Sequence, residues 1–258
     1  MKELEIAKSL AIEAGKRILE IYKSKDLDVQ HKEDNSPLTR ADKEANEIIV
    51  SKLRSEFPYT ILTEEEKDNK SRINEDYVWI IDPLDGTKEF ISGRGEFTVN
   101  IALVKDRKPI LGVIYVPVKE ELYYSSEKGA FFEKDGRVGE LKVSEKNNIG
   151  NMILVMSRSH AGEKENRVRT AFKEAISAGS SLKGCLVASG KADTYIRFGP
   201  VNEWDICAMN AIVNGAGGIM TDLEGKELVY NKEDTLVNGF IASNNKIHDE
   251  LLKLANDE

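Results

Sequence analysis

The sequence predicts two unlike halves: an N-terminal α+β half built on an antiparallel sheet, residues 1–145, and a C-terminal α/β half, residues 146–258. Two observations carry this. The apolar segments Phe97–Val104, Pro109–Val118 and Glu121–Ser126 succeed one another across short polar turns, as the strands of a meander do. Near residue 145 the pattern changes to an alternation of strand-like and helix-like stretches. No Pro- or Ser-rich linker separates the halves, so they are expected to share a long interface.

The elements follow in order. Leu4, Ala7, Leu10, Ala11, Ala14, Ile18 and Ile21 recur at helical spacing and predict an amphipathic helix near residues 3–23. Ser36, Pro37 and Thr39 are start signals for a second helix, with Ala45, Ile48, Ile49, Leu53 and Phe57 on one face and an end before Pro58. Asp42 falls in its first turn. Tyr77–Ile81 is a short buried strand ending at Asp82-Pro83. In the second half, Met152–His160 reads as a strand, Glu163–Ala178 as a helix closed by Gly179, and Ser181–Asp193 as another helix. Thr194–Phe198 is a strand, Trp204–Gly218 a helix ended by its glycines, Gly239–Ser243 a strand and Lys246–Asp257 a terminal helix.

Composition narrows the function. In 258 residues, 37 basic side chains face 45 acidic ones, a formal charge of −8, so binding to a nucleic-acid polymer or an anionic membrane is disfavoured. An anionic substrate would need local positive charge, such as a metal. No apolar run approaches the roughly 18 residues of a membrane span, and no basic segment precedes an apolar one at the N-terminus, which reads as a cytoplasmic protein without an integral membrane segment. Cys185 and Cys207 have no CxxC spacing and read as small buried hydrophobes.

The chemistry gathers around carboxylates. Asp82-Pro83 and Asp85-Gly86 would alone make an ordinary tight turn. They are joined by Glu64 and Glu65 after Thr60-Ile61-Leu62, and by Asp205 at a helix start, where an acid also caps a helix for local reasons. Four or five carboxylates crowded together repel one another unless divalent cations neutralise them. Oxygen donors of this kind suit Mg²⁺. Zinc is disfavoured: His31, His160 and His248 are scattered and neither thiol has a partner at ligand spacing.

On these residues the sequence resembles the magnesium-dependent, lithium-sensitive phosphatases of the inositol monophosphatase superfamily. The matching pattern is Asp42, then Glu64-Glu65, then Asp82-Pro83-Leu84-Asp85-Gly86-Thr87, then Trp204-Asp205 with Gly217-Gly218. It is most similar to the bacterial 3′(2′),5′-bisphosphate nucleotidase branch, through Asp82–Val104, Ser157–His160, Gly179–Pro200 and Glu203–Asp205. Lys88-Glu89-Phe90 stands where inositol monophosphatases usually carry Thr-Asn-Phe.

The resemblance implies an α-β-α-β-α layered sandwich and a cytoplasmic hydrolase in sulfur metabolism that removes the 3′-phosphate of adenosine 3′,5′-bisphosphate. An inositol or fructose-1,6-bisphosphatase activity is the alternative, and a non-catalytic metal- or nucleotide-binding regulator a third reading. It further implies two or three Mg²⁺ on Glu64, Asp82, Asp85, Asp205 and the carbonyl of Leu84, with Glu65 behind them. Asp42, Thr87 and Glu64 form the implied catalytic set, Thr87 relaying a proton to Asp42. Gly86, Thr87, Ser157, His160, Ser180, Lys183, Arg197 and Asp205 are the implied contacts to a small phosphorylated substrate, and a homodimer lies within what the resemblance allows.

Overall fold

The computed structural model describes residues 1–32, 37–158 and 162–257. Ser36, read as a helix-start signal, lies outside them. Helix α1 (Lys2–Ser24) buries Leu4, Ala7, Leu10, Ala14, Ile18 and Ile21 on one side and ends at Lys25 in the left-handed conformation. A two-residue strand pair, Gln30–His31 with Pro37–Leu38, precedes α2 (Arg40–Glu56). Thr39 caps α2, its side-chain oxygen accepting from the Ala41 N–H, and the chain turns extended at Phe57 before Pro58.

A seven-stranded sheet follows in sequential order: β1 (Thr60–Thr63), β2 (Tyr77–Asp85), β3 (Thr98–Lys105), β4 (Lys108–Val116), β5 (Glu121–Ser126), β6 (Gly129–Lys134) and β7 (Arg137–Glu140). Only β1 and β2 are parallel within it. A short helix, α3 (Thr87–Ile91), lies between β2 and β3. Side-chain alternation divides the sheet's two faces: Trp79, Ile81, Ile101 and Leu103 pack under α1 and α2, while Val78, Ile80, Ala102 and Val104 face the other way.

The chain crosses to a second sheet between Glu140 and Ile153. Its elements are β8 (Ile153–Ser157), α4 (Glu163–Arg169), β9 (Glu174–Ala178), α5 (Leu182–Ala188), β10 (Thr194–Arg197), α6 (Glu203–Gly215), β11 (Ile219–Thr221), β12 (Phe240–Ser243) and α7 (His248–Asn256). The strand order is β9-β8-β10-β12-β11, parallel through the first three and antiparallel at β12. Helices α5 and α6 form a middle layer whose apolar residues join the inner faces of both sheets in one core; Val168, Phe172, Leu251 and Ala255 cover the outer face of the second sheet. The architecture is an α-β-α-β-α sandwich. Gly112 on β4 makes the contact with α6 close: a Cβ there would stand 2.5 Å from the Ala208 carbonyl oxygen.

Two readings of the sequence need correction. The helix expected over Glu163–Ala178 ends at Arg169, and Glu174–Ala178 is instead a strand in residue-for-residue register with β8. The same apolar residues serve either period, and hydrogen bonding to the free edge of β8 decides between them. Strand β2 also does not stop at Ile81 but continues through Asp85, so the two aspartates lie within the sheet rather than beyond it.

Candidate metal centre and active-site cleft

The end of β2 is built by a bulge. Asp82 pairs with Asn100 and Asp85 with Thr98, so three steps along β2 match two along β3. Residues three apart in a regular strand point to opposite faces; the extra residue brings both carboxylates to the same one. Pro83, which has no N–H to give the ladder, sits at this irregularity. Gly86 then turns the chain at φ +94°, where a side chain would be strained and its Cβ would lie 3.0 Å from the Glu96 carbonyl oxygen.

Asp205 arrives from the first turn of α6, held by the Asn202 N–H to its Oδ2 at 2.8 Å. One oxygen from each of Asp82, Asp85 and Asp205 lies within 4.8 Å of the others. Glu64 follows β1 directly, anchored by its N–H to the Ile81 carbonyl at 3.3 Å. Asp85 Oδ2 accepts from the Ser181 N–H at 2.6 Å and Asn100 Nδ2 at 3.2 Å. Asp82 is buried, its Oδ1 accepting from the Leu84 N–H at 3.0 Å, while its Oδ2 has no hydrogen-bond partner among the described residues.

Electrostatics registers the crowding. Burial, then the charges of Glu64, Asp85 and Asp205, push the Asp82 carboxyl well above the usual range. Asp205 is pushed up to about 8 by burial and by Asp85 and Glu64. Glu65 rises to about 7 through burial and the charge of Glu64, against the pull of Lys32. A bare group of acids is thus poorly tolerated, and a buried carboxylate oxygen lacks a partner. Hard oxygen donors, mutual repulsion and an orphaned lone pair together fit a divalent cation.

Behind the cluster, Thr87 Oγ1 lies 3.2 Å from Asp42 Oδ1 and 3.3 Å from the Leu84 carbonyl oxygen. The other Asp42 oxygen accepts from the Thr39 N–H at 2.7 Å and Thr39 Oγ1 at 2.6 Å, so this acid completes the cap of α2 and also touches Thr87. In front lies a cleft of about 220 Å³, lined among others by Glu64, Asp85, Thr87, Lys183, Arg197 and Asp205. Gly86, Ser157 and Ser180 line it as well. Lys183 donates to the Ser180 carbonyl at 2.6 Å and stands 5.3 Å from the Tyr195 ring centre. Burial lowers its pKa, against the pull of Asp85, Glu89 and Asp205. A larger groove of about 660 Å³ between α1 and α2 lies on the outer face, away from these groups.

Most of the residues singled out in the sequence therefore converge. Neither Glu64 nor Glu65 falls within the group of three aspartates; both accept from Lys32 Nζ, at 2.7 Å and 2.8 Å. His160 lies outside the described residues. Lys32 itself was not foreseen, since a lone lysine in a polar connection gives no local signal. Asn100 and Ser181, which hold Asp85, were also missed, although a polar residue inside the apolar run of β3 is a visible irregularity.

Residues 2–258 match the inositol monophosphatase family. The protein belongs to that family. Among its relatives, the 3′(2′),5′-bisphosphate nucleotidase CysQ of Escherichia coli K12 is 42% identical over 240 residues, 91% of this chain and 96% of its own. The crystal structure of CysQ from Bacteroides thetaiotaomicron, a bacterial member of the family, is 41% identical with a TM-score of 0.81, covering 94% of this chain and 97% of that one. The IMPase of Thermotoga maritima is 31% identical with a TM-score of 0.85, covering 99% and 97%. Membership in the family and the acid cluster at the end of β2 are both compatible with divalent-metal binding.

Proposed function

We propose that the protein is a cytoplasmic, magnesium-dependent 3′(2′),5′-bisphosphate nucleotidase that hydrolyses adenosine 3′,5′-bisphosphate to AMP and phosphate. The observation that carries this is the higher identity to CysQ, 42% and 41%, than to the Thermotoga IMPase, 31%, at comparable coverage. The cleft supports it, because Lys183 and Arg197 bring two cations beside the acids, as a doubly phosphorylated substrate needs.

Glu64, Asp82, Asp85, Asp205 and the carbonyl of Leu84 would hold two or three Mg²⁺. When bound, the ions supply charge for the phosphoryl oxygens and lower the pKa of water. Thr87 Oγ1, 3.2 Å from Asp42 Oδ1, would take a proton from the attacking water while passing its own to the carboxylate. Asp42 is ready for this: burial raises its pKa despite the hydrogen bonds from Thr39. The amides opening α3 after Gly86, at residues that line the cleft, would suit phosphate oxygens. Ser157, Ser180, Lys183 and Arg197 would contact the ribose, base or second phosphate. Net, water adds to phosphorus, the bond to the 3′-oxygen breaks, and that oxygen takes up a proton.

Lithium inhibition belongs to the same reading, since Li⁺ is a small hard cation suited to these oxygens. A substrate panel tests the whole. With Mg²⁺, phosphate release from adenosine 3′,5′-bisphosphate should far exceed that from inositol 1-phosphate or fructose 1,6-bisphosphate. The reverse order would place the protein with the sugar and inositol phosphatases of the family.

A further inference from the structure

Lys32 reaches the acid cluster from the connection before α2. Its Nζ donates to Glu64 Oε1 at 2.7 Å and to Glu65 Oε1 at 2.8 Å, with only 21% of its side chain exposed. Glu64 is the hinge of this arrangement, because its charge also acts on Asp82 and Asp205. The ammonium therefore occupies the cluster's outer end. Lys32 faces Glu64 and Glu65 only, and Asp82 Oδ2 is left without a partner among the described residues.

We propose that Lys32 is a built-in counter-cation of the metal centre: it competes with a divalent cation for the carboxylate of Glu64 and so sets how tightly the centre holds that cation. The inference rests on reading the acid cluster as a metal centre. Two positive charges sharing one carboxylate repel each other at close range in a partly dry site. Glu65 gives the displaced ammonium a place to stay, since it already accepts from the same Nζ. Without a cation, Lys32 relieves the repulsion between Glu64 and Glu65; with one, it costs affinity.

The test is calorimetric titration of Mg²⁺ into the metal-stripped full-length protein, comparing wild type with Lys32→Met, Lys32→Gln and Lys32→Arg. Both uncharged variants should bind Mg²⁺ tighter by about fivefold or more, and Lys32→Arg should stay within about twofold of wild type. Thermal melts of the same samples give a second readout. The uncharged variants should melt lower than wild type without metal, and the gap should close at saturating Mg²⁺. Equal or weaker Mg²⁺ binding by both uncharged variants, or a gap that persists at saturation, would overturn the proposal and make Lys32 a metal-independent brace. Failure of the wild type itself to take up Mg²⁺ would instead overturn the metal centre.

Discussion

Asp42 uses its two oxygens for different partners: Oδ2 closes the N-terminus of α2 through Thr39, and Oδ1 lies 3.2 Å from Thr87 Oγ1 at the edge of the cleft. One side chain thus closes a helix and touches the cleft hydroxyl, and in the proposed reaction it is the proton acceptor. Asp42→Asn keeps much of the shape and removes the charge. It should lower kcat by about 10²–10⁴ while leaving KM within about threefold, with a stability loss of about 1 kcal/mol. Steady-state kinetics beside a melting curve separates the two effects; a kcat near wild type would remove Asp42 from the chemistry.

Asp82→Asn should act on activity and stability in opposite directions. Turnover should fall by at least about 10³, because a charged oxygen in a dry site is lost. The metal-free protein should melt higher than wild type, since a buried and repelled carboxyl has gone. Added Mg²⁺ should then stabilise the variant less than wild type. Unchanged turnover would show that Asp82 holds no essential ion.

The metal-free protein should lose stability as pH rises. Asp205, at about 8, and Glu65, at about 7, are protonated in the folded state where the unfolded chain has already released its protons. The native state binds more protons over that range, so this contribution is present at low pH and fades as pH climbs through 7 to 8. Melting in a chelator should drop by about 5 °C or more between roughly pH 6 and 9, and saturating Mg²⁺ should flatten the slope. Identical slopes with and without Mg²⁺ would count against the cluster as a cation site.

Arg197→Ala should discriminate between substrates. The guanidinium lines the cleft and is held only by main-chain carbonyls, Gly199 at 3.3 Å and Pro200 at 3.3 Å, among its described hydrogen bonds. Its loss should reduce kcat/KM for adenosine 3′,5′-bisphosphate by about 10–100-fold and that for a monophosphate by no more than about threefold. Equal losses on both substrates would mean that Arg197 shapes the cleft without reading a second phosphate.

Legibility of the sequence followed the range of the forces involved. Helices α1, α2 and α7 were readable because each carries its own apolar stripe, and α6, buried nearly all round between the sheets, through its apolar run and closing glycines. The hairpin of β6 and β7 went unread although Asp135 and Gly136, at φ 51° and 71°, form the kind of turn such a hairpin needs. Strand β9 was misread because its identity depends on a neighbour distant in sequence. At the site, Asp82, Asp85, Thr87 and Asp205 announced themselves through turn and helix-start positions. The bulge that aligns the first two appears only when β2 is laid against β3, and Lys32 is placed by a connection whose composition says nothing.

Helix α6 brings Asp205 to the cluster, yet it packs closely against β4 of the first sheet, while Lys183 and Arg197 sit on α5 and β10. The start of α5 ties the two sets together: the Ser181 N–H holds Asp85, and Lys183, two residues on, lines the cleft. Under the proposed reaction, a substitution that displaces α5 would therefore change ester preference and turnover together.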